Sequence, residues 1–179
     1  MRRQFIRNLF TFSFFVISLF CVFNCSQDSS KEEGTFNIYL IRDSELNILE
    51  FDSTDIERIN LPDNPVTSIC DIDTYKIFQS ENGLSLCHSI IFKTETKDKF
   101  GSENCYFVLV VNGIRMYKGE YWANFMDTYP MDVTLLAYRD SEFHIMANDE
   151  GKDKINDSDI LNTLIDSGVN IIYQNTGTL

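Results

Sequence analysis

The stretch CYFVLVVNGIRMYKG, residues 105–119, decides the fold. Cys105 to Val111 is an unbroken apolar run, the pattern of a strand buried on both faces. Asn112-Gly113 follows, and this pair suits a two-residue type I′ turn because both positions need positive φ. Ile114 to Lys118 then alternates. That predicts a returning strand with Ile114 and Met116 on one face, Arg115 and Tyr117 on the other, and Gly119 at its end.

A hairpin this apolar needs a sheet around it, and the flanking sequence supplies one. FNIYLI (36–41), Leu86–Phe92, VTLLAY (133–138) and FHIMA (143–147) are rich in strand formers. Asn170–Tyr173 suits a last edge strand. Helical turns are expected near Ser53–Arg58, and a short helix over Asp71–Tyr75 after Ser68 or Asp71. The best helix starts at an Asp157 or Ser158 cap and runs to Ser167. Ile160, Leu161, Leu164 and Ile165 form its apolar stripe, and Gly168 sits where a left-handed C-terminal cap belongs. The fold class is therefore α+β: a mostly antiparallel sheet with a central hairpin and one or two helices packed on it, after an N-terminal signal segment.

The first residues belong to a different kind of segment. Arg2, Arg3 and Arg7 precede a mostly apolar run, Leu9 to Phe23, too short for a spanning helix of about 20 residues. Cys25 and the polar stretch SQDSSKEEG follow. The division expected is a signal peptide at 1–24, a flexible tether at 25–35 and a single α+β domain at 36–179. A plain secretory peptide and an uncleaved membrane anchor are the alternatives.

Charge narrows the partners. Lys+Arg 15 against Asp+Glu 27 gives −12, and loss of residues 1–24 would leave −15. Basic residues cluster only at positions 2 to 7. Nucleic acid is excluded as a partner, because phosphate binding needs concentrated positive charge. Such a surface is also repelled by anionic lipid, so membrane association would require the anchor.

Catalytic signals are sparse: there are two histidines, His88 and His144, and no GxSxG, HExxH, P-loop or GxGxxG pattern. Cys70, Cys87 and Cys105 leave an odd thiol in an exported chain; a Cys87–Cys105 bridge is open, and three buried thiols is the preferred arrangement. His88 adjoins Cys87, but neighbours on a strand point to opposite faces, which spoils them as a nucleophile–base pair. Asn148–Asp159 is oxygen-rich, yet Lys152 and Asp153 fall where a calcium loop wants a ligand and a glycine. No catalytic residue, metal or cofactor is expected. The segment Tyr117–Tyr129 offers five aromatics with Glu120 and Asp127. It serves either as a binding platform or as a cover that closes the sheet and buries Trp122 and Phe125. A partner, if one docks there, would meet Tyr117, Tyr121, Trp122 and Tyr129.

Two resemblances add expectations. The apolar run ending in Val22, Phe23, Asn24 and Cys25, with its polar tether, resembles a bacterial lipoprotein signal, which implies Cys25 as the acylated first residue of the mature protein. The stretches DNPVTSICDIDTYKIF and YFVLVVNGIRMYKGEYW, with IYLIRDSEL and the 159–168 helix, resemble the head subdomain of the first periplasmic domain of SecD. They are also similar to small exported bacterial proteins of related fold. Together these imply a lipid-anchored cell-envelope protein, a non-enzymatic binding or accessory module with an envelope protein as partner. A subunit of an export or envelope-assembly machine is the alternative, and an envelope hydrolase a more distant one.

Overall fold

The structure, a computed structural model, describes residues 34–42, 48–79, 87–124 and 132–175. The expectations for the signal segment, for Cys25 and for Phe125 and Tyr129 fall outside these residues. Among the described residues no helix is long and apolar enough to cross a membrane.

Nine strands make one sheet: β1 (Phe36–Ile41), β2 (Thr67–Ser68), β3 (Ile72–Gln79), β4 (Cys87–Phe92), β5 (Cys105–Val111), β6 (Ile114–Trp122), β7 (Val133–Ala137), β8 (Glu142–Ala147) and β9 (Asn170–Asn175). Their order is β2-β1-β5-β6-β7-β8-β4-β3-β9, antiparallel throughout except for the parallel pairs β6·β7 and β3·β9. Among the described residues four α-helices accompany it: α1 (Ile48–Ser53), α2 (Lys97–Phe100), α3 (Lys152–Ile155) and α4 (Ser158–Asp166). The fold is α+β with a mostly antiparallel sheet.

The sheet is curled. Helix α4 touches β1 and β5 near one end of the strand order and β9 at the other. Inside the curl, Phe36, Phe107, Leu135, Phe143, Ile160 and Leu164 belong to one apolar core. Asp157 caps α4 by accepting from the Asp159 N–H, and Gly168 follows with φ 77°. Asn112 (φ 51°) and Gly113 (φ 78°) make the expected turn between β5 and β6.

A second, smaller cluster lies outside the curl. There Phe51 of α1 and Ile59 pack on Ile41, Val108 and Val110. Two cations of β6 hold this layer down. Arg115 Nη1 donates to the carbonyls of Ile56 and Ile59, the latter at 2.7 Å. Lys118 Nζ donates to the carbonyls of Phe51, Asp52 and Thr54 at the C-terminal end of α1, where a cation is favoured.

Several expectations are corrected. The expected helix over 71–75 does not form: a 3-10 turn, Ile69–Asp71, precedes strand β3, in which Ile72, Tyr75 and Ile77 are buried. The Asp71 carboxylate belongs to a capping box with Ser68, so the cap signal marks that turn. Gly119 does not end β6. A Cβ there would sit 2.1 Å from the Val133 carbonyl oxygen, so the glycine permits close approach of β7. Just before β1, Thr35 N donates to Asn112 Oδ1 at 2.9 Å, and Asn112 N to Thr35 O.

Candidate binding site

The aromatic residues expected to meet a partner do not share an open face. Tyr117, Tyr121 and Trp122 are 2%, 0% and 5% exposed, and Tyr129 lies outside the described residues. The cause is a bulge. Val110 pairs with Arg115 and Leu109 with Tyr117, so Met116 is an extra residue. It puts Arg115 and Tyr117 on opposite faces, not on one. Tyr117 and Tyr121 turn into the core, where the Tyr121 hydroxyl donates to Gly101 O. Trp122 Nε1 donates to Glu120 Oε2. Tyr117 and Tyr121 thus belong to the core, and Trp122 is buried beside Glu120.

Two groupings with catalytic residue types come together, and their geometry is structural. On the outer face Ser89 Oγ donates to Glu142 Oε1 at 3.0 Å, while Lys76 Nζ and His144 Nε2 lie 3.5 and 3.6 Å from the same oxygen. The serine is fully buried and its proton is directed at the carboxylate, not at the imidazole. His144 is also stacked on Tyr138. Inside the curl, Tyr75 Oη is 2.7 Å from His88 Nδ1. Burial draws the His88 pKa down to about 4, against a smaller upward pull from the Asn156 side chain. His88 and Cys87 face opposite ways, as expected, since His88 is buried opposite Ile77 and Ile145.

Cys87 and Cys105 are not bridged, and burial pushes both thiols up, Cys87 to about 11. Cys70 is exposed, which corrects the expectation that all three thiols are buried. In the acidic loop Asn148 Oδ1 accepts from Glu150 N and Gly151 N, and so shapes the turn before α3. Among the described residues no cluster of His, Cys, Asp and Glu is arranged to hold a metal ion.

Among the described residues a cleft of about 470 Å³ lies beside β1. Its floor is apolar: Leu40, Ile41, Phe51 and Ile59. Its far wall is the segment Asn60–Pro62, and Arg42 and Arg58 also line it. On a chain of net charge −12, the described lining contains two arginines and no acid. Arg42 is tied in place, its Nη2 donating to the carbonyls of Lys99 and Phe100. Arg58 is exposed and has no ion-pair partner among the described residues. The wall is fixed by Arg115, whose guanidinium holds the Ile56 and Ile59 carbonyls. Pockets of this size suit small ligands or short segments.

The sequence did not disclose this cleft. Its residues come from the end of β1 with Arg42, from α1 with Thr54, and from the segment 58–62, and none belongs to a chemical motif. The faint signal was the run RINLP, residues 58–62, which places apolar residues beside a basic one within an acidic stretch. Compared with known proteins, the chain matches no family model, no curated protein and no solved structure.

Proposed function

We propose that this chain is a lipid-anchored protein of the bacterial cell envelope, acting as a non-enzymatic binding or accessory module through the cleft beside β1. The N-terminal sequence supports the anchor: three arginines, an apolar core ending at Phe23, Cys25 and a polar tether. The observation that carries the binding role is the cleft itself, an apolar floor whose described lining holds two arginines and no acid on a strongly acidic chain. Apolar area provides affinity, and localised positive charge orients an anionic group.

The test has two arms. Cells fed labelled palmitate should incorporate label into the wild type and not into Cys25→Ala. Label retained in that variant, or absent from the wild type, overturns the anchor. A photo-crosslinking residue placed at Asn60, on the cleft wall, should give a discrete adduct that the same probe at exposed Asp149 does not. Identical patterns from the two positions would sink the binding role.

A further inference from the structure

The cleft opens onto main chain as well as side chains. Strand β2 pairs with β1 only at Asn37 and Ile38. Asn112 N donates to Thr35 O, and Val66 N donates to Ile38 O. Alternate β1 residues therefore face opposite edges: Asn37, Tyr39 and Ile41 turn their N–H and C=O to β5, while Ile38 and Leu40 turn theirs to the β2 side. Among the described residues nothing pairs with Leu40 on that side, and Leu40 lines the cleft. The cleft thus runs between the end of β1, unpaired on that side among the described residues, and the wall Asn60–Pro62.

The geometry points to an extended peptide segment bearing a carboxylate as the occupant, added as a strand to the free end of β1. Three observations converge on that chemistry. An unpaired strand edge is a template for another strand, and Leu40 supplies a donor and an acceptor. Past Ile38 the β2 side of β1 is unpaired among the described residues over Tyr39–Ile41, about 10 Å of strand, and Leu40 alone of the three turns its main chain to that side. Alternate side chains of the incoming strand would fall against Ile41, Phe51 and Ile59, and Arg58, which has no ion-pair partner among the described residues, supplies a guanidinium for a carboxylate. The inference rests on the binding role proposed for this cleft and names its partner class.

The experiment is selection of random seven-residue peptides with free carboxyl ends against the full chain in detergent micelles. Enriched peptides should lose at least tenfold in affinity against Arg58→Glu, and by a similar factor when alternate peptide amides are N-methylated. On binding, the Leu40 amide should exchange at least tenfold more slowly. Arg58→Gln, with the wild-type melting temperature as control, replaces the glutamate variant if that one is destabilised. No enriched peptide, or peptides indifferent to both changes, would overturn the inference. A parallel titration with dodecanoate separates the two levels of the argument. If it shifts the Leu40 and Phe51 resonances while no peptide is selected, the strand-addition inference falls and the binding cleft stands. If neither occupies the cleft, both fall.

Discussion

Tyr75 Oη and His88 Nδ1 meet at 2.7 Å inside the curl of the sheet, and both side chains are almost wholly buried. This pair makes folding sensitive to mild acid. Burial draws the His88 pKa from an ordinary 6.5 to about 4. The unfolded chain therefore binds a proton that the folded chain refuses between those values. Stability is full above pH 6.5 and declines as pH falls, by up to about 3 kcal/mol at pH 4. His144 is shifted in the same direction by burial, partly offset by Glu142. Asp132, held below the usual carboxylate range chiefly by its hydrogen bond from Lys154, adds its loss only below the ordinary carboxylate pKa. The double variant Tyr75→Phe/His88→Leu removes both polar partners at once, which costs less than orphaning one. Denaturant melts from pH 7.5 to 4.5 should show a shallower decline for that variant than for wild type. Parallel curves would mean that His88 is not the titrating group.

The hairpin turn gives a second prediction through a contrast between two glycines. Gly113 has φ 78°, and an added Cβ would meet nothing within 4 Å. Gly113→Val should therefore cost about 1–2 kcal/mol, all of it from backbone strain. Gly119→Ala puts a methyl 2.1 Å from the Val133 carbonyl oxygen and 2.8 Å from Phe107 Cε1. It should cost more than about 3 kcal/mol, since the β6·β7 contact must move apart. Chemical denaturation of the two variants ranks them; the reverse order would contradict the placement of β7 against β6.

Much of this fold was legible because its local chemistry is unambiguous. Asn112-Gly113 admits few conformations other than the turn it makes, and Asp157 with Gly168 brackets α4 from both ends. What stayed hidden was long-range. The bulge at Met116 is one residue's difference in register, yet it parts Tyr117 from the face of Arg115 and puts it in the core. Nothing in the run IRMYKG marks that slip. The cleft was hidden for a related reason: it exists because β2 stops pairing at Ile38, which is a property of two segments some thirty residues apart. The Cys25 expectation rests on sequence alone.

Thiol chemistry offers a third check on burial. Cys70 is exposed, whereas Cys87 and Cys105 are half-buried with raised pKa values. At pH 8 about one Cys87 in a thousand would be thiolate, given a pKa of about 11. Brief alkylation with iodoacetamide followed by peptide mapping should therefore modify Cys70 at least about tenfold faster than Cys87. Addition of denaturant should bring the two rates together. Equal rates in the native protein would show that the end of β4 carrying Cys87 is open.

The layer that walls the cleft depends on two cations of one strand, and that dependence can be measured separately from global stability. Arg115 binds the carbonyls of Ile56 and Ile59, and Lys118 binds those of Phe51, Asp52 and Thr54. Lys118 also sits over the Phe51 ring, 5.1 Å from its centroid. A six-residue helix has little stability of its own, so α1 is held by its Phe51 packing and by these donors. Arg115→Met and Lys118→Met keep much of the aliphatic stem and remove the charge-assisted bonds. Each should cost about 1.5–3 kcal/mol. The loss should be local. Amide exchange should quicken over residues 50–59, while Phe107–Val111 of β5 remains the slowest part of the chain, because its five residues are buried on both faces. If exchange quickens uniformly, the outer layer unfolds together with the sheet and is not a separately anchored wall. If neither segment changes, the two cations do not hold α1 in place.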